Sequence, residues 1–169
     1  PVSVTVVTAP QAGTNGSVTF CSNGTSTNLF AYLGGSPQAG GTWRLGTVVV
    51  SGVYSPQTDA PGVYTYTVTG TPPCANSVAS VTVSEVAAPN PGVSAQTSVC
   101  STDAQFSMRS RLGGTPSPLG TWTDPFGQPH GDVFQPGLDA PGVYIHTVQG
   151  TAPCLAASVT LTVTVNTAP

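Results

Sequence analysis

The stretch Asp59-Ala60-Pro61-Gly62-Val63-Tyr64 decides the fold, because it returns unchanged as Asp139-Ala140-Pro141-Gly142-Val143-Tyr144. Each copy closes a loop and opens an alternating run, Tyr64-Thr65-Tyr66-Thr67-Val68 in the first and Tyr144-Ile145-His146-Thr147-Val148 in the second. Thr, Tyr, Val and Ile favour strands, whereas Asp, Pro and Gly favour turns. We interpret the stretch as a folding device at a loop-to-strand boundary and not as a reactive site.

The rest of the chain repeats around this stretch. Cys100 lies 79 positions after Cys21, and Trp122 lies 79 positions after Trp43. One inserted residue then raises the offset to 80, so that Cys154 matches Cys74. Many matches in one order along the chain indicate an internal repeat.

Ala-Pro dipeptides mark equivalent joints at Ala9-Pro10, Ala88-Pro89 and Ala168-Pro169. We therefore predict two repeats, residues 9–87 and 88–169, and interpret residues 1–8 as the last strand of an earlier repeat in a longer array. The alternative is that residues 1–8 are a donor strand that completes the sheet of a neighbouring subunit.

Each repeat reads as about seven short strands separated by Gly- and Pro-rich turns, without apolar spacing of 3.6 residues. This pattern predicts an all-β chain of two antiparallel β-sandwiches. Ala9–Asn15 is predicted as an edge segment and Asn28–Leu33 as a short apolar strand.

The spacing of Asp, Gly and Tyr in the repeated stretch resembles the tyrosine corner of immunoglobulin-like (Ig-like) sandwiches. In that motif a buried Tyr hydroxyl bonds to the backbone just upstream. The resemblance implies that Tyr64 and Tyr144 are buried corner residues. The turn residues are then Asp59 and Gly62 in one repeat, and Asp139 and Gly142 in the other.

Trp43 and Trp122 stand in matching Gly-Thr-Trp contexts, early in a mid-chain strand. We predict that both are core residues, as in Ig-like sandwiches, where a Trp packs on a disulfide. The alternative is an exposed aromatic platform for sugar rings.

The four cysteines allow three pairings. Each repeat holds one cysteine on its second strand and one before its last strand, which favours a disulfide within each repeat. We predict Cys21–Cys74 and Cys100–Cys154, each worth up to about 4 kcal/mol by loop-closure entropy. Disulfides indicate an oxidising, extracellular compartment.

Charge is scarce, with a net charge of −3, no Lys, and only Arg44, Arg109 and Arg111 as cations. Phosphate recognition needs clustered cations, so nucleic acid is excluded as a partner, and the same shortage argues against an anionic membrane surface. No apolar run reaches the roughly 18 residues of a membrane helix. Since few charges repel neighbouring copies, self-packing in a fibre or layer is favoured. The alternatives are a soluble glycosylated stalk and a low-charge secreted domain.

Little in the sequence indicates chemistry. Asp124, His130 and Asp132 are the only plausible metal cluster, and we expect them to lie in a solvated loop instead. No nucleophile motif or phosphate-binding loop is present. We therefore predict no cofactor, no metal and no enzymatic activity.

The order Cys…Leu-Gly-Gly…Gly-Thr-Trp…Asp-Ala-Pro-Gly-Val-Tyr…Gly-Thr-x-Pro-Cys resembles the tandem Ig-like repeats of giant surface proteins from gliding, type IX-secreting bacteria of the Bacteroidetes kind, similar in outline to PKD domains. The resemblance covers both repeats and implies export and a role as spacer, adhesin shaft or filament. The second repeat departs from it at Met108–Arg111, where Arg109 and Arg111 indicate a contact face.

Two functions follow as hypotheses. The first is a structural module of an extracellular adhesin, stalk or filament, whose partners are neighbouring repeats or copies of itself. The alternative is a carbohydrate-binding or accessory module of a secreted enzyme, with surface glycans as partners.

Overall fold

A computed structural model describes residues 2–167, and it is all-β, with two tandem Ig-like sandwiches. The chain divides into two compact units, Pro1–Ala87 and Ala88–Pro169. The predicted joint at Ala168-Pro169 lies outside the described residues.

The first unit contains a five-stranded sheet in the order β1-β7-β6-β3-β4 and a two-stranded sheet of β2 and β5. The strands are β1 (Gly16–Cys21), β2 (Thr27–Asn28), β3 (Thr42–Leu45), β4 (Val48–Val50), β5 (Val53–Tyr54), β6 (Gly62–Val68) and β7 (Ser77–Val86).

The second unit repeats this plan, with a five-stranded sheet in the order β11-β10-β13-β14-β8 and a two-stranded sheet of β12 and β9. The strands are β8 (Ala95–Cys100), β9 (Phe106–Ser107), β10 (Thr121–Thr123), β11 (Pro129–His130), β12 (Val133–Phe134), β13 (Gly142–Val148) and β14 (Ala157–Asn166).

The first strand of each unit differs from the antiparallel pattern, because it runs parallel to the last strand. Cys21 at the end of β1 lies opposite Val86 at the end of β7. In the second unit Cys100 lies opposite Asn166, which ends β14. The other strand pairs that the structure describes are antiparallel.

The predicted strand Asn28–Leu33 is wrong over most of its length, since Leu29–Tyr32 forms a 3₁₀ helix. The Asn28 side chain accepts a hydrogen bond from the Phe30 amide at 3.0 Å, which caps the helix. The matching Met108–Arg111 segment is also a 3₁₀ helix. Residues 9–15, predicted as an edge segment, form only a single bridge at Thr14.

Residues 2–8 form no strand. Val2, Val4 and Val6 alternate as in β7 but are 93%, 83% and 89% exposed, whereas Val81 in β7 is fully buried. The role of this segment as a last or donor strand stays a prediction.

The core of the first unit follows the two-residue period of its strands, because alternate side chains of a strand point to the same face. Tyr64 and Tyr66 of β6 pack with Val81 and Val83 of β7. The second unit buries Tyr144 with Leu161 and Val163 in the same way.

Candidate functional site: corner, inner polar residues and cysteine ends

The repeated stretch forms the same corner in both units. The Tyr64 hydroxyl donates to the Ala60 carbonyl at 2.8 Å, and the Tyr144 hydroxyl donates to the Ala140 carbonyl at 2.8 Å. Both rings are buried. This hydrogen bond fixes the chain direction where the loop becomes a strand.

The aspartates of the repeated stretch close the loop before the corner. The Asp59 carboxylate accepts a hydrogen bond from the Ser55 amide at 2.8 Å. The Asp139 carboxylate accepts one from the Gln135 amide at 2.6 Å. One oxygen of each carboxylate is thus bound by the backbone of its own loop.

Burial shifts the ionisation of the corner tyrosines. Desolvation, together with the nearby Asp139 and Asp124 charges, raises the pKa of Tyr144 to about 12. Desolvation raises the pKa of Tyr64 above its ordinary value, and Asp59 and Glu85 add to the shift. A raised folded-state pKa contributes stability below the unfolded value of about 10, and this stability is lost as pH rises through the folded value. The corners should therefore weaken in strong alkali.

The two tryptophans lie inside the sandwiches. Trp43 is 6% exposed and its ring centroid lies 4.9 Å from that of Tyr66. Trp122 is 4% exposed and lies 4.8 Å from the His146 ring. Since a sugar platform needs an exposed ring face, these positions offer no stacking surface.

Asp132 is a polar centre that the sequence did not reveal. Its carboxylate accepts hydrogen bonds from the Trp122 indole at 3.1 Å, the Arg109 amide at 3.0 Å and the Ser107 hydroxyl at 2.6 Å. It joins the core tryptophan to the start of the 3₁₀ helix. The one available signal was its match to Gly52, since a Gly-to-Asp change beside a core Trp leaves a carboxylate that needs partners.

Asp124, His130 and Asp132, the candidate metal cluster that the sequence analysis set aside, have separate partners. Asp124 accepts amide hydrogen bonds from Phe126 and Gln128 in its own turn. His130 Nε2 lies 3.4 Å from the Asp139 carboxylate, and Asp132 is engaged as described above. Within residues 2–167 no group of three metal-binding side chains comes together.

The two arginines of the second unit have separate environments. The Arg111 guanidinium lies 4.9 Å above the centre of the Phe106 ring, as in a cation–π contact. Arg109 is half-buried within the 3₁₀ helix, where its amide donates to Asp132. Their role as a contact face stays a prediction.

The predicted disulfides Cys21–Cys74 and Cys100–Cys154 are wrong. Cys21 and Cys154 are disulfide-bonded, whereas Cys74 and Cys100 are free thiols.

Strand direction explains the error. An antiparallel first strand would bring Cys21 towards the start of β7, close to Cys74. Because β1 is parallel to β7, Cys21 lies at the far end of that ten-residue strand. Such a strand is about 30 Å long, whereas bridged Cα atoms lie within roughly 7 Å of each other.

Each repeat therefore carries one cysteine at each end of its last strand. We call Cys74 and Cys154, which precede that strand, the incoming cysteines, and Cys21 and Cys100, which lie beside its end, the outgoing cysteines. Both incoming cysteines sit in the same turn, with the Cys74 amide 2.9 Å from the Thr71 carbonyl and the Cys154 amide 2.9 Å from that of Thr151.

Cys100 is a free thiol with a hydroxyl partner. Its sulfur lies 3.2 Å from the Thr102 hydroxyl. Hydrogen bonds from Thr102 lower the pKa of the Cys100 thiol. The thiolate is the reactive form, so this thiol is suited to disulfide exchange.

Comparison with solved structures relates the chain to tandem Ig domains. It is similar to an I-band fragment of titin at 13% identity and a TM-score of 0.49, covering 95% of this chain and 65% of that fragment. Immunoglobulin domains 1–4 of Sidekick-1 give 14% identity and a TM-score of 0.34, covering 94% of this chain and 51% of that one. A titin Ig tandem gives 10% identity and a TM-score of 0.33, covering 92% of this chain and 95% of that one.

These similarities are too distant to bear on function. The chain spans less than two thirds of the first titin fragment. No protein-family model and no curated protein matches it. In residues 2–167 no helix has the length and apolar character needed to span a bilayer.

Proposed function

We propose that the chain is a structural module of an extracellular adhesin, stalk or filament, in which disulfide-linked Ig-like repeats act as spacers and packing surfaces. The observation that carries this proposal is the matched pair of ends on every repeat. Both units present an incoming cysteine in the same turn and an outgoing cysteine at the same strand end.

The disulfide state supports an extracellular site. Cys21 and Cys154 are bonded, and such bonds persist in oxidising compartments. The low charge supports side-by-side packing, because a surface with few charges repels its own copies weakly.

The interior supports a spacer more than a binding module. Tyr54 is fully buried and donates to Glu85 at 2.6 Å, and Trp43 is also buried. The aromatic residues that a glycan site would use thus serve the core.

Immunogold electron microscopy of intact cells of the source organism tests the proposal. An antibody raised against this chain should decorate surface fibres or stalks. Their axial spacing should be about 3 to 4 nm, the length of a ten-residue strand and its turns. Serum pre-adsorbed with the chain is the control, and label confined to the cell interior would overturn the proposal.

A further inference from the structure

We propose that Cys74 and Cys100 are linking cysteines, each of which forms a disulfide with an adjoining repeat of this kind. Cys74 bonds the outgoing cysteine of the repeat before it, and Cys100 bonds the incoming cysteine of the repeat after it. The inference rests on the proposed function, since it requires repeats in a row.

The outgoing cysteine is held beside the residue that precedes a joint. Cys21 pairs with Val86, and the next amide, that of Ser22, donates to the Val86 carbonyl at 2.9 Å. Cys100 pairs with Asn166, and the Ser101 amide donates to the Asn166 carbonyl at 2.9 Å. Val86 and Asn166 are matching positions, two residues before an Ala-Pro joint.

The incoming cysteine lies beside the equivalent position at the joint that precedes its own repeat. The Cys74 thiol lies 3.7 Å from the Val7 carbonyl. Val7 stands two residues before the Ala9-Pro10 joint, as Val86 stands before Ala88-Pro89. The position two residues before a joint thus lies beside the outgoing cysteine of the repeat that ends there and beside the incoming cysteine of the repeat that follows.

The bonding state of the four cysteines agrees with bonds between outgoing and incoming cysteines of adjoining repeats. The bonded ones are Cys21, the outgoing cysteine of the first repeat, and Cys154, the incoming cysteine of the second. The free ones are Cys74 and Cys100, which would need a repeat beyond these two. A disulfide within each repeat would leave a different pattern, with every cysteine bonded.

The chemistry is thiol–disulfide exchange with a small-molecule disulfide as oxidant. The Cys100 thiolate attacks one sulfur of the oxidant and releases one thiolate, which leaves a mixed disulfide. The incoming cysteine's thiolate then attacks the Cys100 sulfur and releases the second thiolate. Two protein thiols are oxidised and one small disulfide is reduced to two thiols.

A concatemer tests the proposal. Residues 11–169 of a second copy follow Pro169 directly, so that Ala168-Pro169 takes the place of Ala9-Pro10. After equilibration in a glutathione redox buffer, thiols are alkylated under denaturing conditions and counted by mass spectrometry. We expect two free thiols, as in the single chain, because Cys100 of the first copy bonds Cys74 of the second.

Matched variants locate the bond. Cys100→Ser in the first copy, or Cys74→Ser in the second, should raise the count to three, because each leaves one partner unbonded. A flexible insert of about 20 Gly and Ser residues at the new joint should slow bond formation at least about tenfold, since it lowers the effective concentration. Four free thiols in a folded concatemer, or equal rates with the insert, would overturn the inference.

The outcomes separate this inference from the proposed function. A folded concatemer whose new joint stays reduced removes the linking role and leaves the spacer proposal to the microscopy. A bonded joint, by contrast, supports the linking role even where surface fibres are absent.

Discussion

In the first repeat Tyr54 donates a hydrogen bond to Glu85, whereas the matching positions of the second repeat hold Phe134 and Val165. Both partners change together, from a polar pair to an apolar pair. Replacing both partners of a buried hydrogen bond by apolar groups costs little, but replacing one leaves an unsatisfied group. Buried polar partners in the interior thus vary between the repeats as coupled pairs.

The helix cap shows the same coupling. In the first repeat Asn28 caps the 3₁₀ helix and Gly52 lies against Trp43. In the second repeat Ser107 and Asp132 replace them, and Asp132 binds both the helix and the tryptophan. The corners and the cysteine turns, by contrast, are the same in both repeats, so these define the unit.

The largest expected effect comes from the cap of the second repeat. Asp132→Ala removes three hydrogen bonds and leaves the buried Trp122 indole without its acceptor. We expect the free energy of unfolding to fall by about 3 kcal/mol, measured by urea unfolding with tryptophan fluorescence.

Asp124→Ala is the matched control, because its two hydrogen bonds lie in an exposed turn. We expect less than about 1 kcal/mol for it. Equal losses for the two variants would contradict the central role of Asp132.

The corner should respond equally in the two repeats. Tyr64→Phe and Tyr144→Phe each remove one 2.8 Å hydrogen bond and leave the carbonyl that accepts it unpaired. We expect a loss of about 1 to 2 kcal/mol in each case, seen in the same urea titration.

The pH dependence provides a second readout of the corner. Because the pKa of Tyr144 is raised to about 12, its contribution should persist to about pH 10 and vanish towards pH 12. Tyr144→Phe should make the free energy of unfolding fall less steeply with pH in this window. If the free energy of unfolding of Tyr144→Phe fell with pH as steeply as that of the parent chain, the corner would not determine the alkaline stability.

These features divide into what local sequence determines and what it does not. The corner was predictable, because Asp, Pro, Gly and Tyr act within a few residues of each other. The direction of β1 was not, since alternation looks the same in parallel and antiparallel strands. The 3₁₀ helix at Leu29–Tyr32 has the sequence pattern of a short apolar strand. Its start is fixed by the Asn28 side chain and by a hydrogen bond from the Leu29 amide to the distant Gly52 carbonyl.

The cysteine pairing could not be predicted without the direction of β1. The positions of Cys74 and Cys154 before the last strand were predicted, but the place of Cys21 and Cys100, and so the pairing, depended on the orientation of β1 and β8. The role of the Asp132 carboxylate could not be predicted for a related reason. An aspartate in a loop looks solvated in the sequence until its hydrogen-bond partners are known.

A smaller effect should appear in the Tyr54–Glu85 pair. Tyr54→Phe and Glu85→Val should each cost about 1 to 1.5 kcal/mol, and the double variant should cost less than their sum by about 1 kcal/mol. A double-mutant cycle measures this coupling. Strict additivity would contradict the view that this pair is replaced as a unit in the second repeat.

The smallest effect concerns the free thiol of the second repeat. Thr102→Val removes the side-chain hydrogen bond that contributes most to the lowered pKa of Cys100, so less thiolate forms at neutral pH. We expect alkylation of Cys100 by iodoacetamide to slow several-fold at pH 7 and to recover above pH 9. Cys74 in the same sample is the internal control, and its rate should not change.

The central claim is that each repeat keeps its two cysteines at opposite ends of its last strand, too far apart to bond each other. Mass spectrometry of an unreduced digest of the alkylated chain tests it most directly. We expect label on Cys74 and Cys100 and one cross-linked peptide that contains Cys21 and Cys154. Cross-linked peptides joining Cys21 to Cys74 and Cys100 to Cys154, with no label, would contradict the claim.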